Sequence, residues 1–506
     1  MTSRAAANAY RLTSTTISII CALIWFVLGK PLTISADNRP QTVRAVWHAA
    51  EHLDMFAVNR AGDRKQGWAS VLTSSTMGLT LNQFDQGSNG VCPVATCYYV
   101  STMGSPSNDC TAAQDPNTPK LTIGDAVTNC VQANQAVIVR GGTYDEMLGA
   151  PYWSGSSYWP SGTSWSNKIL IENYPNETVW IQPSTNYLAD QGVNSIIWLD
   201  QTVGYIEFNG INLDGAVAGA GGLWVSTNNG NDPNHIRFAN AEVSAGPGGD
   251  PIILGAHTRI GATGGNEIIN ASLHGGGLPG LCGFACNGYG IYVMGPNNLM
   301  DGLDIYDTGS SGIHIYNSDG DSPDNNIIRN TRIHDITRTG NLNEVWGVLI
   351  DGNNNQVYNN IIWNINVGSA NPGNAAITIG NGYSSNLVAN NTIYNDTNSG
   401  IYVGTGASGN TVANNIVDSV TGSAFVDLGS SDTFMTNACT DGSSFSCTVA
   451  TSANFTNTGS TPPDLTVGSS SPVCGAGSDG SSVFTTDING TKRTDPWGLG
   501  AYSCAN

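Results

Sequence analysis

The chain has 506 residues, of which 18 are Lys or Arg and 38 are Asp or Glu, so its formal net charge is −20. This balance argues against nucleic acid as a partner, because basic side chains are needed to neutralise phosphates. Charged residues make up only 11% of the chain and glycine is frequent, with 62 residues. That composition argues against long helices. The hydrophobic share of 40% is enough to fill a core and argues against a disordered chain.

Residues 1–36 have the pattern of a secretory signal peptide. Arg4 and Arg11 precede an apolar run from Ile17 to Leu28, and the small side chain of Ala36 could mark the cleavage site. The run is shorter than the roughly 20 residues that span a bilayer, so we expect export and cleavage. The alternative is an uncleaved signal anchor that would hold the protein on a membrane. Residues 37–88 resemble nothing in the rest of the chain, and we expect a leader or a small capping piece there.

The cysteines also indicate a secreted protein. One of the eleven, Cys21, lies in the signal, and the other ten fall into five pairs that are close in sequence. The pairs are Cys92/Cys97, Cys110/Cys130, Cys282/Cys286, Cys439/Cys447 and Cys474/Cys504. Local pairs of this kind are typical of disulfides formed in an oxidising compartment. The lack of a CxxC pair argues against zinc.

An internal repeat runs through residues 203–420. Each unit places an apolar residue just after an Asn-rich turn, followed by a second short strand with alternating polarity. The apolar position falls at Leu213, Val243, Leu273, Ile305, Ile333, Ile362, Ile393 and Val417. Such short strands cannot bury a face alone, but coils stacked about 4.8 Å apart can. The repeat therefore predicts an all-β fold, a parallel β-helix (solenoid) of about ten coils over residues 89–430. A C-terminal cap is expected over 431–506.

The turn position of this repeat is often asparagine. It is filled by Asn330, Asn359, Asn390 and Asn414. Asparagine tolerates the left-handed backbone conformation and can bond to the coil beside it. We therefore interpret these residues as a structural ladder rather than as glycan contacts.

Three stretches resemble a known family. They are residues 121–146 with 168–181, the repeat itself, and the closing segment 464–504. Together they resemble the secreted right-handed parallel β-helix proteins of the pectate-lyase superfamily. The resemblance implies a short capping helix near 122–132, and the residues agree, with Thr122 as N-cap and an apolar face of Ile123, Ala126, Val127 and Cys130.

The resemblance leaves the chemistry open, because the superfamily includes lyases, hydrolases, epimerases and proteins without known activity. We expect a secreted, monomeric carbohydrate-active protein that degrades a polysaccharide as a lyase or a glycoside hydrolase. The alternative is a non-catalytic β-helix protein that binds glycan or serves a structural role at the surface.

Alternation on the first strand of each coil predicts an exterior face rich in charge. Glu267, Asp301, Arg329 and Arg237 are the candidate catalytic residues, and Tyr358 is a candidate substrate contact on the same face. Pectate lyases resemble this arrangement in placing acidic ligands and an arginine on that strand. An elimination needs a base and a neutralised substrate carboxylate, whereas a hydrolysis needs two carboxyls. The alternative interpretation is a charge ladder whose members offset one another.

Acidic and aromatic residues elsewhere give further candidates. Asp319, Asp321 and Asp324 share one turn and could bind Ca²⁺ through hard oxygen ligands, although such turns are often only solvated. His334 is predicted to stand in a column of stacked rings with His274, Tyr306, Trp363 and Tyr394, which could also serve as a sugar platform.

The segment 151–165 is rich in aromatic residues. Trp153 and Trp159 in this segment could clamp a glycan, or the segment could fold back and pack on the helix. His314 is predicted to point outward beside Tyr316 and is a reserve acid or base.

Overall fold

A computed structural model describes residues 92–149, 158–186, 194–199, 201–225, 233–255, 264–277, 288–317, 322–336, 345–365, 373–440 and 446–504. The predicted signal at 1–36 and the leader at 37–88 lie outside these ranges. Every helix within the ranges is too short or too polar to cross a bilayer.

The described residues form the predicted parallel β-helix, built from three long sheets whose strands pair in parallel from coil to coil. Sheet A contains β1 (Cys97–Val100), β2 (Gln135–Val139), β4 (Ile169–Asn173), β7 (Gly204–Asn209), β10 (Asn234–Ala239), β13 (Glu267–Ile269), β16 (Leu299–Asp301), β19 (Ile327–Arg329), β22 (Gln356–Tyr358), β25 (Leu387–Ala389), β28 (Thr411–Ala413) and β31 (Thr433–Met435).

Sheet B follows sheet A in each coil after a tight turn. It contains β3 (Gly142–Tyr144), β5 (Val179–Ile181), β8 (Ile211–Asp214), β11 (Glu242–Ala245), β14 (Ser272–Gly275), β17 (Asp304–Tyr306), β20 (Arg332–His334), β23 (Ile361–Trp363), β26 (Thr392–Tyr394), β29 (Ile416–Asp418), β32 (Asn437–Cys439) and β33 (Cys447–Val449).

Sheet C completes the coil. It contains β6 (Ser195–Leu199), β9 (Gly221–Val225), β12 (Ile252–Leu254), β15 (Tyr289–Val293), β18 (Ser311–Ile315), β21 (Trp346–Ile350), β24 (Ala375–Ile379), β27 (Ser399–Val403) and β30 (Phe425–Asp427). A separate antiparallel pair, β34 (Phe455–Asn457) and β35 (Asp464–Val467), follows the coils in sequence and packs on sheet B.

The interior of the helix is filled by the residues that the repeat predicts. The apolar column from Leu213 to Val417 is in continuous register along sheet B, and each of its eight members is 0% exposed. Sheet A supplies a second column, in which Met300 and Val357 are also 0% exposed. Because each coil buries its apolar residues against the next, the core is one continuous stack.

The N-terminal end carries the predicted helix, α1 (Ile123–Asn129), which ends a few residues before the predicted limit. The Thr122 side chain accepts a hydrogen bond from the Asp125 backbone N–H, and Ile123, Ala126 and Val127 are buried. Two 3₁₀ turns, Ala112–Gln114 and Trp165–Asn167, complete the helical residues in the described ranges. The helix therefore covers apolar side chains of the first coils, as the sequence predicts.

The asparagine ladder is confirmed at the turn between sheets A and B. Asn330, Asn359, Asn390 and Asn414 all have φ between 51° and 58°. A second, fully buried ladder follows one residue later, at Asn360, Asn391, Asn415 and Asn437, each 0% exposed. Asn391 accepts from the Asn360 backbone N–H at 3.0 Å and donates to the Val357 carbonyl at 2.9 Å. The side chains therefore satisfy backbone groups that the turn leaves unpaired.

We expect Asn391→Ala to lower the free energy of unfolding by about 2–4 kcal/mol, because it removes the side-chain partner of two buried backbone groups in the preceding coil, the Asn360 N–H and the Val357 carbonyl. The matched control is Asn117→Ala in an exposed turn, which should cost less than about 0.5 kcal/mol. Urea unfolding of the two variants measures the difference. Equal costs would mean that the buried ladder contributes little.

The strands of the coils continue beyond residue 430, because β31, β32 and β33 still pair with sheets A and B. The residues after them run back along the helix, where Leu465 and Ala501 pack on Ile361 and Trp363 of sheet B. Four of the five predicted disulfides are present, at Cys92–Cys97, Cys110–Cys130, Cys439–Cys447 and Cys474–Cys504. Cys282 and Cys286 lie outside the described residues.

Candidate functional site

The charged exterior of sheet A is divided into two separate columns by the strand register. In the first, Arg237 bridges Glu207 at 2.8 Å and Glu267 at 2.7 Å, and Lys168 also binds Glu207 at 2.8 Å. Glu207 is 0% exposed. The Arg237 guanidinium is covered by the Trp165 ring, 4.0 Å away. The column is thus a closed ion-pair network beneath an aromatic cover.

The second column contains Asp301 and Arg329. Arg329 donates from Nε and Nη2 to one Asp301 oxygen, at 2.8 and 2.7 Å, and the pair raises the pKa of Arg329 even though burial opposes this. The register sets Asp301 beside Ile269, and Glu267 beside Leu299. Glu267 and Asp301 therefore each bind their own arginine. The catalytic role of these four residues stays a prediction, and their geometry matches the charge ladder that was its alternative.

Tyr358 is not an exposed substrate contact. Its side chain is 3% exposed, and its ring stacks on Phe484 of the C-terminal segment, with centroids 4.4 Å apart. The expectation of an open ring is wrong because a segment distant in sequence covers it.

Trp159 is likewise not an exposed clamp. It is 2% exposed, packs edge-on against Phe208 and donates its indole N–H to the Trp198 carbonyl at 2.8 Å. Its ring belongs to the core. This agrees with the second interpretation of the segment, in which it folds back and packs on the helix. Trp153 lies outside the described residues.

The predicted ring column on sheet B is confirmed for four of its five members, whereas Tyr394 contacts Phe455 edge-on. His274, Tyr306, His334 and Trp363 stack in order, with centroid distances of 4.9, 5.3 and 4.1 Å. His334 Nε2 lies 3.1 Å from Asp304 and Nδ1 lies 2.7 Å from Asp335. Although burial opposes it, these two carboxylates raise the pKa of His334. A role for His334 in sugar binding stays a prediction.

The predicted calcium turn is described only at Asp324. Asp319 and Asp321 lie outside the described residues. Asp324 accepts the Asn353 backbone N–H at 2.6 Å and so links two coils. Within the described ranges no group of three His, Cys, Asp or Glu side chains is placed to hold a metal ion.

The exterior of sheet C carries a surface that we name the aromatic face, formed by Tyr289, Tyr292, Tyr316 and Trp346 around His314. Tyr292 stacks on Tyr289 at 5.0 Å and on Tyr316 at 5.6 Å, and all four aromatic rings are part-buried. His314 points outward from β18, as expected, but it is only 5% exposed. Burial lowers its pKa to about 3, so the imidazole is neutral. Neither ring nitrogen has a hydrogen-bond partner in the described structure.

A part-buried carboxyl, Asp351, lies at the edge of this face. Asp351 follows β21, and its backbone N–H donates to the Ile315 carbonyl, which places it one coil from Tyr316. Burial raises the pKa of Asp351 to about 6. Tyr383 has a pKa of about 12, raised first by burial and then by nearby groups that include Asp351, Tyr316 and Asp324. Asp351 and Asp324 therefore each lie close enough to Tyr383 to raise the pKa of its phenol. We name these four residues the Asp351 cluster.

Gly380 makes room for this cluster. A methyl group added at Gly380 would overlap the Asp351 carboxylate and approach the Tyr383 ring. The strand sequences GIHIY and GVLID already place Tyr316 and Asp351 just after matching strands. That signal could have indicated the cluster. Its burial could not be deduced, because Tyr383 comes from the next coil.

Parallel β-helices with three sheets form one structural class, and the comparisons with known proteins place this chain in it. Residues 260–461 match the family described as "Right handed beta helix region". Pectate lyase Pel9A is structurally similar, with a TM-score of 0.56 at 17% identity, covering 81% of this chain and 98% of that one. The chain therefore has the right-handed parallel β-helix fold, which Pel9A shares.

Two further solved structures are more distant. A rhamnogalacturonan lyase has a TM-score of 0.41 at 15% identity, covering 72% of this chain and 91% of the other. An alginate lyase from Paenibacillus sp. str. FPU-7 has a TM-score of 0.40 at 18% identity, covering 61% and 95%. No curated protein matches the sequence.

Proposed function

We propose that this protein is a secreted, monomeric glycoside hydrolase that binds a polysaccharide along the aromatic face of sheet C and cleaves it at the Asp351 cluster. The observation that carries the proposal is a part-buried carboxyl with a pKa of about 6 beside that face. Perturbed carboxyls in such surroundings are frequent among catalytic acids. The four local disulfides and the signal-like N-terminus support export.

Binding follows from the chemistry of the aromatic face. Tyrosine and tryptophan rings offer apolar faces with polar edges, which suits a sugar ring that is apolar on one side and hydroxylated at its rim. His314 lies buried among these rings and supports them from within the face. Its neutral imidazole adds no charge to the face.

Cleavage follows from two carboxyls in unlike surroundings. Below pH 6 Asp351 retains its proton and can donate it to the leaving glycosidic oxygen. Asp324, held by the Asn353 backbone N–H, is the partner carboxylate that would activate water or attack the sugar directly. The described residues of this face include no lysine or arginine to act as the base or the charge neutraliser of an elimination, which favours hydrolysis.

The experiment is incubation of the purified protein with a panel of neutral and acidic polysaccharides. We expect new reducing ends without the ultraviolet absorbance of an unsaturated uronate. Absorbance would indicate a lyase instead, and binding without any product would indicate the non-catalytic alternative. Repeating the assay with a calcium chelator tests the calcium expectation, since loss of activity would favour a metal ligand role for Asp324.

A further inference from the structure

A cavity of about 410 Å³ lies on the outside of the helix, at the turn between sheets A and B. We name this turn the A–B corner. Asn240 and Asn270 line the cavity from the turn, and Glu242, Ser272, Asp304 and Arg332 line it from the exterior of sheet B. The cavity is shallow and open to solvent, so a ligand would lie on the surface rather than be enclosed. The aromatic face of sheet C contributes no residue to it.

The cavity exists because the asparagine ladder is interrupted there. Asn270 donates its amide to Asn240 at 2.7 Å, but the next turn position is Gly302. One coil further, Asn330 donates to Asp301 and so does not restore the link. The Asn270 side-chain oxygen thus receives no bond from the next turn. Gly302 has φ of +70°, and an added Cβ would meet its nearest atom only at 3.8 Å.

Later coils show what occupies the same corner when it is covered. Asn359 donates to the Thr486 carbonyl, and Asn414 donates to the Ser478 carbonyl, at 2.8 Å each. Arg493 binds the Asn359 side-chain oxygen at 2.8 Å. The corner amides therefore bind polar groups of a chain laid along them. The described C-terminal residues make no hydrogen bond to Asn240 or Asn270, which are exposed.

Arg332 supplies the charge in this cavity. Arg140, Arg237 and Arg329 each bind a carboxylate, whereas the Arg332 guanidinium has no ion-pair or hydrogen-bond partner in the described structure. Its strand neighbour Asp304 binds His334 at 3.1 Å, and Glu242 binds His274 at 3.0 Å. The Arg332 guanidinium lies next to Asp304 in the strand register, and its own donors are open to an anion. A planar guanidinium suits a carboxylate in two-point contact.

We infer that the A–B corner is a second carbohydrate site that binds an acidic sugar, with the uronate carboxylate on Arg332 and the hydroxyls on Asn270, Asn240 and Ser272. The choice of a sugar acid over other carboxylates rests on the proposed function, but the existence of the A–B corner site does not. The A–B corner would hold a polysaccharide chain at a distance from the Asp351 cluster. Binding at the corner and turnover at the cluster can therefore be measured separately.

The test is calorimetric titration of the Asp351→Asn protein with a galacturonic acid trimer and with its methyl ester, which lacks the charge. We expect the acid to bind and the ester to bind at least tenfold more weakly. Arg332→Ala should weaken binding of the acid about tenfold to a hundredfold, the range of a lost charged hydrogen-bond pair. Arg140→Ala, on another part of the surface, should leave that affinity unchanged.

Gly302→Asn is the second variant. Asparagine accepts the positive φ of this position, so the ladder would continue into the cavity and exclude the sugar without loss of melting temperature. An affinity for the acid that neither Arg332→Ala nor Gly302→Asn lowers would overturn the site, as would equal affinity for acid and ester or no binding of either. These experiments measure binding to an inactive protein, so they test only the A–B corner. The proposed hydrolysis is tested separately, by the products formed from the polysaccharide panel.

Discussion

Asp351→Asn is expected to lower turnover of the polysaccharide by about 10²- to 10⁴-fold, the usual contribution of a positioned general acid. The amide keeps the shape of the side chain but cannot deliver a proton. For the unaltered protein, kcat/KM should fall as the pH rises through about 6, since the acid loses its proton there. The comparison variant is Asp301→Asn on sheet A, for which we expect most of the activity to remain. Loss at Asp301 with activity retained at Asp351 would return the site to sheet A.

The same variant has an expected effect on stability that separates misfolding from lost chemistry. A carboxyl whose pKa is raised on folding stabilises the protein while it is protonated, and that contribution is lost as the pH rises through about 6. A neutral amide in place of the carboxylate removes this loss. The variant should therefore be more stable than the unaltered protein above pH 7, by up to about 3 kcal/mol, and equal to it near pH 3. Lower stability at every pH would contradict the burial of a charged Asp351.

Arg237→Ala is expected to destabilise the fold by about 3–5 kcal/mol, because it leaves the fully buried Glu207 carboxylate with only Lys168 as a partner. It also removes the cation beneath the Trp165 ring. Arg140→Ala is the matched control. Its ion pair with Glu177 is much more open to solvent and should contribute less than about 1 kcal/mol.

Thermal and urea unfolding of both arginine variants measure the difference. Adding Glu207→Gln to Arg237→Ala should restore part of the lost stability, since the unpaired charge is then gone. A cost below about 1 kcal/mol for Arg237→Ala would show that the network on sheet A is an ordinary surface ladder. Such a result would also restore the hypothesis that Arg237 acts on substrate.

The sequence predicted what depends on the period of the coil. The positions of Leu213 and Met300 inside the helix and of Asn359 in the turn follow from alternation and from the repeat, which are local properties. The direction of His314 followed in the same way. Its near-complete burial did not, because that depends on the rings of Tyr289, Tyr292 and Trp346 in neighbouring coils.

Which exterior residues are covered could not be predicted either, because the covering side chains come from other parts of the chain. Alternation shows that Tyr358 and Glu207 point away from the core, but Phe484 covers the first and Trp165 lies over the second through Arg237. These covers come from segments whose path is not set by the repeat. Charge on an exterior strand of sheet A thus belonged to a structural network. The position of Asp351 after its strand could be read from the sequence, but its burial depends on the stacked coils.

The most direct measurement of the central claim is a crystal structure of the Asp351→Asn protein with an oligosaccharide of the polysaccharide that it degrades best. We predict sugar rings stacked on Tyr292, Tyr316 and Trp346 on the exterior of sheet C, with a glycosidic oxygen within hydrogen-bond distance of residue 351. An oligosaccharide bound instead along Asp301 and Arg329 on sheet A, with the aromatic face empty, would contradict the account.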